Sequence, residues 1–372
     1  MYVNQPLHEK KSKKRGLLWK IPLIVLSLIL VVAIAYVIYV FVDYNRIEYN
    51  FDVQPQGGAE LSAVKTDTEY TALTYNVGFG AYTPDFTFFM DGGKSSWAES
   101  KESVIACIDG AAGIIDEHKA DFALIQEVDF DSTRSYHVDE RAQLIGKFPD
   151  HSSAFAVNYH SPFLFYPFIR PHGTSNSGLL TLSSVNIDSA LRRSLPISTG
   201  LKKFLDLDRC YLITRIPVEN GKELVFINLH TSAYGTDGDL QTRQMTMIFD
   251  DMKAEYAKGN YVIAGGDWNH DFTGDSKFKL NSATPKDLES LSWCAEFPAD
   301  LIPGGFSRVT DYKSGLRPST RNTDIPYSPE SFVVTLDGFI VSDNVQPDYV
   351  DVVDTGFLYS DHNPVELRFK LK

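Results

Sequence analysis

From Ile21 to Val42 the chain reads IPLIVLSLILVVAIAYVIYVFV, 22 residues without a charged side chain. As a helix rising about 1.5 Å per residue, this run reaches roughly 33 Å, enough to cross the hydrocarbon core of a bilayer. Lys10, Lys11, Lys13, Lys14, Arg15 and Lys20 precede it, whereas Asp43, Arg46 and Glu48 follow with mixed sign. The positive-inside rule leaves residues 1–20 as a basic cytoplasmic tail and makes 21–42 a single plasma-membrane span, with the rest of the chain outside. Ala33-Ile34-Ala35 resembles a signal-cleavage site, but the apolar run continues to Val42, which favours an uncleaved anchor.

Residues 1–42 hold six Lys/Arg and one acidic residue, Glu9, so in a chain of net charge −13 the outer part carries −18. A protein that follows nucleic acid by neutralising phosphates usually shows a basic face, and only short pairs such as Arg192-Arg193 and Lys202-Lys203 stand out. The balance disfavours a nucleic-acid partner. It leaves phosphate chemistry open, because an acidic enzyme can use bound metal ions as its positive charges. Cys107, Cys210 and Cys294 are odd in number and far apart, with no Cys-x-x-Cys spacing, and they read as buried small hydrophobes.

With 372 residues, 43% of them hydrophobic, the chain can bury one large core, and it shows no internal repeat. Residues 43–69 contain QPQGG and little periodicity, and they read as a stalk with room for an edge strand near Ile47. From Tyr70 short apolar runs alternate with helical patterns: TALTYNV, a helix over 98–118 with Val104, Ile108, Ala111 and Ile115 on one face, then FALIQEV. SGLLTLS, CYLITRIPV and LVFINLH follow. After them come a helix carrying Met245, Ile248, Met252 and Tyr256 on one face and ended by Gly259, and then YVIAGG, FVVTL, FIVS and VELRFKL. Strands and helices in this proportion predict an α/β or α+β layered domain over 70–372.

In YVIAGGDWNHDF, Tyr261 to Phe272, an apolar run stops at two glycines and delivers Asp267 and Asn269 on one side of a strand end by the two-residue period. Such residues also make ordinary turns. The same event recurs, however: LTYN ends in Asn76, LIQE in Glu127, INLH in His230 and VVTLD in Asp337, and YSDHNP offers Asp361 and His362. Asp337-Gly338 has a rival reading as a hairpin turn. In layered folds, residues at the ends of separate strands gather in a crevice at one sheet edge.

Asn76, QE at 126–127, NLH at 228–230, GDWN at 266–269, LDGFIVS at 336–342 and SDH at 360–362, taken in this order, resemble the motifs of the endonuclease/exonuclease/phosphatase superfamily of DNase I-like nucleases, sphingomyelinases and inositol-phosphate phosphatases. The resemblance covers residues 70–372 and implies a four-layer sandwich, two mixed β-sheets face to face with helices outside. It also implies Mg²⁺, with Mn²⁺ as the alternative, held by Glu127, Asn76 and Asp361. Asp267 is then expected to orient or deprotonate the attacking water, Asn269 to donate to phosphoryl oxygens, His362 to contact the phosphate or move a proton, and Asp337 to fix the His362 tautomer.

His230 departs from the tyrosine of the abasic-site endonucleases and suits general-acid work, as in the DNase I-like enzymes and sphingomyelinases. The PAWCDRI-like signature of the inositol phosphatases is missing around Asp337. Between strands, Asn158 to Leu180 forms a long aromatic, proline-punctuated loop that ends near Arg170, His172 and Asn176; Arg170, Asn176 and Asn76 are candidates for binding substrate. The sequence thus predicts a membrane-anchored, outward-facing, Mg²⁺-dependent phosphoesterase acting on a phosphodiester, either a phospholipid head group or a small phosphorylated metabolite. The alternatives are an extracytoplasmic nuclease and a non-catalytic binding module; no protein partner is inferable.

Overall fold

The computed structural model describes residues 13–199, 203, 208–233, 238–274, 294–315 and 318–372. The chain divides into two compact units, Met1–Asn45 and Arg46–Lys372. In the first, helix α1 (Lys13–Asp43) contains a stretch, Lys20–Asp43, long and apolar enough to cross a membrane. Along Lys20–Asp43 most Leu, Ile and Val side chains are exposed, and the stretch buries no apolar face among the described residues.

The second unit is built on two sheets. One runs β1 (Asn50–Val53), β6 (Ser189–Ser194), β7 (Cys210–Pro217), β8 (Glu223–His230), β9 (Tyr261–Asp267), β13 (Asp337–Ser342), β10 (Phe306–Arg308). The other runs β14 (Val345–Val352), β15 (Val365–Leu371), β2 (Tyr70–Asn76), β3 (Phe122–Asp129), β5 (Asn176–Ser183), β4 (Ser152–His160). A short pair, β11 (Thr320–Arg321) and β12 (Val333–Val334), completes the strands among the described residues. The sheets are mixed, with β2 parallel to β3 and β8 parallel to β9.

Alternation along each strand supplies three apolar layers. Phe122 and Leu124 of β3 meet Leu224 and Phe226 of β8 between the sheets. Ala123 and Ile125 face outward to Val104, Ile108, Ala111 and Ile115 of α2 (Lys101–Glu117), and Leu144 of α3 (Glu140–Lys147) joins them. On the far side Val225, Ile227 and Leu229 pack on Met245, Ile248 and Met252 of α4 (Gly238–Tyr256). Strands covered on both faces read as near-continuous apolar runs, and the result is the expected four-layer sandwich. α2 begins where the Ser100 hydroxyl accepts from the Ser103 N–H, an N-cap. The three cysteines are buried.

The compact unit begins at Arg46, not at Tyr70. β1 pairs with β6, Gln56 with Ser153, Leu61 with Val185 and Val64 with Val218, so most of the expected stalk lies on the sandwich. A single edge strand joined by backbone bonds needs no apolar period, and the Gly/Pro composition of this stretch therefore looked like a linker. Only Tyr44 and Asn45 separate the end of α1 from this unit.

Candidate active site

Parallel pairing puts the ends of β2, β3, β8 and β9 at one edge of the sandwich, and there Asn76, Glu127, His230 and Asp267 emerge. β13 runs antiparallel to β9 with Asp337 opposite Asp267. Asp337-Gly338 therefore starts a strand instead of turning a hairpin. The loop between β14 and β15 adds Asp361 and His362, both held at that edge through the Ser360 hydroxyl, which donates to the Asn76 carbonyl at 2.7 Å.

The glycines of YVIAGG follow from packing. A Cβ on Gly265 would enter the Phe339 ring, and one on Gly266 would collide with the Leu229 backbone, so only glycine lets β9 lie this close to β8 and β13. Trp268 then points inward, fully buried, with its indole N–H donating to the Gly338 carbonyl at 3.1 Å. Asp267 ends β9 and its Oδ1 accepts from the Asn269 N–H at 2.9 Å, so Asn269 lies past the strand, where the two-residue period no longer sets its direction. Asn269 takes a positive φ of 49° and donates through its amide to the Thr231 carbonyl at 2.8 Å.

Asn76 is a junction between the sheets. Its amide donates to Glu127 Oε1 and to Asp267 Oδ2, each at 3.1 Å, while its own oxygen accepts from the Gly78 N–H. Glu127 has a φ of 55° inside a register shift of β3, an uncommon conformation for a non-glycine residue that turns its carboxylate out of the ladder. Burial first, and then the like charge of Glu127, push the Asp361 carboxyl up to about 6 in spite of the neighbouring His362. Glu127 and Asp361 are two carboxylates near enough for the charge of one to raise the other, a pairing that suits a hard divalent cation; the Asn76 oxygen, expected to complete the set, instead accepts from the Gly78 N–H while its amide faces Glu127.

A second cluster adjoins it through Asn76, whose amide reaches both Glu127 and Asp267. Asp267, Asp337 and His362 each present a polar atom within 4.8 Å of the others. His362 Nδ1 sits 2.8 Å from Asp337 Oδ2, leaving Nε2, 3.8 Å from Asp267 Oδ2, as its free end. Burial opposes the His362 imidazolium, but Asp337, with Asp267 and Asp361 behind it, outweighs burial and lifts the group to about 10. Asp267 is pushed up to about 7 by burial, with His362 pulling against it and Asp337 adding to the rise.

His230, expected to suit general-acid work, lies beside Asp267. Its Nε2 lies 3.5 Å from Asp267 Oδ2, and its Nδ1 is buried with no hydrogen-bond partner among the described residues. Burial, and then the charges of Arg209, His362 and Arg134, push it well below its ordinary value, so it rests as a neutral imidazole that can still offer one N–H.

Arg170 and Asn176 are engaged elsewhere. The Arg170 guanidinium lies 4.8 Å over the Trp97 ring and donates to the Tyr136 hydroxyl, and the Asn176 amide donates to the Asp131 carbonyl at 2.7 Å. Both sit at the base of the hairpin between β4 and β5. Sequence reasoning missed Ser319 and Thr320, whose hydroxyls lie 2.7 and 3.1 Å from Asp337 Oδ2 and hold it toward His362. It also missed the tie between Gln126 and Asn228, where the Gln126 amide donates to Asn228 Oδ1 at 2.8 Å across the sheet interface.

The profile of the Endonuclease/Exonuclease/phosphatase family matches residues 73–362. No curated protein sequence matches the chain. Among solved structures, it is similar to an endonuclease/exonuclease/phosphatase from Beutenbergia cavernae, with 16% identity over 82% of this chain and 72% of that one and a TM-score of 0.56. A family protein from Bacteroides thetaiotaomicron has 16% identity over 86% and 97%, with a TM-score of 0.53. One from Leptotrichia buccalis has 16% identity over 81% and 100%, with a TM-score of 0.52. At these identities the structures speak to the fold.

Proposed function

The chain belongs to the endonuclease/exonuclease/phosphatase family, whose members hydrolyse phosphoester bonds, and on that premise we propose that it is a Mg²⁺-dependent phosphodiesterase held at the plasma membrane with its catalytic unit outside. The observation that carries this reading is the pair of adjoining clusters at one sheet edge, an all-oxygen set at Glu127 and Asp361 beside the buried Asp267–His362–Asp337 arrangement.

The chemistry divides among the residues. Glu127 and Asp361 would hold the cation, which when bound would polarise a phosphoryl oxygen and stabilise charge on it, while the Asn76 amide ties Glu127 to Asp267. Asp267 accepts the proton of the attacking water; burial, by raising its carboxyl toward neutrality, makes it a competent base near pH 7. His362, kept protonated by Asp337, donates from Nε2 to a phosphoryl or leaving oxygen. Asn269 and neutral His230 add uncharged N–H donors, the Asn269 amide leaving the Thr231 carbonyl when substrate arrives.

The strongly acidic outer part favours a lipid head group or a small phosphodiester over nucleic acid. Intact cells carrying the full chain are expected to hydrolyse an impermeant soluble phosphodiester added outside with Mg²⁺, and to leave added plasmid DNA largely uncut. Turnover only after the cells are broken would overturn the orientation. Rapid DNA cutting with slow turnover of the small diester would replace the reading with a surface nuclease.

A further inference from the structure

The hairpin between β4 and β5 ends in an exposed apolar tip. Phe165, Tyr166, Phe168 and Ile169 are 50, 62, 75 and 100% exposed. Single exposed apolar residues are ordinary, but a contiguous run of this size marks a contact surface.

The tip stands on a fixed base. Leu164 and Gly173 exchange backbone hydrogen bonds at 3.0 and 3.1 Å, closing the hairpin beneath it. The Arg170 and Pro171 carbonyls accept from the Ser96 hydroxyl and the Trp97 indole N–H, each at 2.7 Å. His172 is buried against Phe88 and Phe89. The backbone below therefore presents the apolar side chains outward instead of letting them fold onto the core.

Topology gives the direction in which they face. β4 and β3 both run antiparallel to β5, so the end of β4, where the hairpin begins, lies at the same edge as Glu127. β1 runs antiparallel to β6, and β6 and β8 both run antiparallel to β7, so the start of β1 lies at the edge where β8 delivers His230. Buried Arg192 joins the two: its guanidinium donates to the Glu48 carbonyl at 3.1 Å and to the Val157 carbonyl of β4 at 2.8 Å. The place where the chain arrives from its apolar helix, the aromatic tip and the catalytic side chains thus share one edge of the sandwich.

We propose that the hairpin tip docks in the interface of the bilayer that holds the N-terminal helix and turns the catalytic edge toward the lipid head groups. Two residues, Tyr44 and Asn45, connect the helix to this unit, so the edge where the chain arrives stays within a few residues' reach of the membrane surface. Tyr166 suits the head-group level, where its ring is shielded and its hydroxyl stays wet, and Phe165, Phe168 and Ile169 add apolar area that the acyl boundary would bury. The inference rests on the membrane-anchor reading and deepens the phosphodiesterase reading by naming the surface on which the enzyme works.

The test uses the full chain in vesicles of equal parts phosphatidylcholine and phosphatidylglycerol. Ile169→Cys carries an environment-sensitive fluorophore, and Glu117→Cys, at the end of α2 on the opposite edge, is the control; the three native cysteines are buried and escape labelling. Doxyl-labelled lipids are expected to remove most of the Ile169 emission and little of the Glu117 emission. Adding Phe165→Ser and Phe168→Ser to the Ile169→Cys chain should restore the emission without changing its Tm. Equal quenching at both sites, or unchanged quenching in the serine variant, overturns the docking. Release of the chain from vesicles at alkaline pH removes the anchor, and the proposal with it. Turnover of a soluble diester by the same preparations reports the phosphodiesterase reading independently.

Discussion

Asp267→Asn is expected to lower kcat by about 10²- to 10⁴-fold, the range a positioned general base contributes, without lowering Tm at neutral pH. The two outcomes have one cause. Burial raises the Asp267 carboxyl to about 7, against the pull of His362 and with the push of Asp337, while the unfolded chain ionises the same group near about 3.9. Between those values the folded state binds more protons than the unfolded state, so the wild type loses stability as pH rises through this window. An asparagine has no such dependence. In excess chelator, the Tm of the variant relative to wild type should therefore rise from pH 4 to pH 7 and stay level above it. A loss of Tm in step with the loss of activity would make Asp267 a structural residue instead.

Asp337→Asn is expected to move the alkaline limb of the pH–rate profile downward. In the wild type burial disfavours the His362 imidazolium, but Asp337, 2.8 Å from Nδ1, and the carboxylates beyond it hold the group at about 10, so the proton-donating form persists through mildly alkaline pH. With the carboxylate gone, burial dominates and the limb falls toward or below the ordinary histidine value of about 6.5. At pH 8 kcat should drop by about 10²- to 10⁴-fold, as when a carboxylate that orients a catalytic imidazole becomes an amide. Stability follows the rule for a base with a raised folded value: the contribution of this pair is complete below about 6.5 and is lost as pH passes about 10 in the wild type. A profile whose alkaline limb does not move would separate Asp337 from the protonation of His362.

Much of the candidate site was legible in the sequence because Asn76, His230 and Asp267 end strands and Asp337 opens one, whereas Glu127 sits in the irregular end of β3 and Asp361 and His362 lie in the loop before β15. A strand end is marked twice, by the apolar run that stops and by the polar residue that begins, as in INLH and AGGDWN. What stayed hidden depends on contacts with no local signature. Ser319 and Thr320 lie in a stretch without an apolar run, and only the folded chain places them against Asp337. Gln126 and Asn228 stand in quoted motifs, yet their hydrogen bond joins two sheets across 102 positions. The neutral state of His230 is likewise collective, since burial and three positive groups from distant segments set it. The shift of the domain boundary from Tyr70 to Arg46 has a different origin: residues 46–69 join the sandwich through backbone pairing, which leaves little trace in side-chain pattern.

The central claim is that Glu127 and its neighbours hold a divalent cation that phosphodiester hydrolysis at this edge requires. Its most direct test titrates Mg²⁺ into the purified full chain, stripped with chelator, and follows turnover of a soluble phosphodiester for wild type and Glu127→Gln. The predicted result is no turnover in chelator, saturable recovery with Mg²⁺ for the wild type, and a curve for Glu127→Gln displaced to much higher Mg²⁺ with its Tm in chelator unchanged or raised. Turnover that survives excess chelator, or a Glu127→Gln curve that overlays the wild type, would contradict the claim.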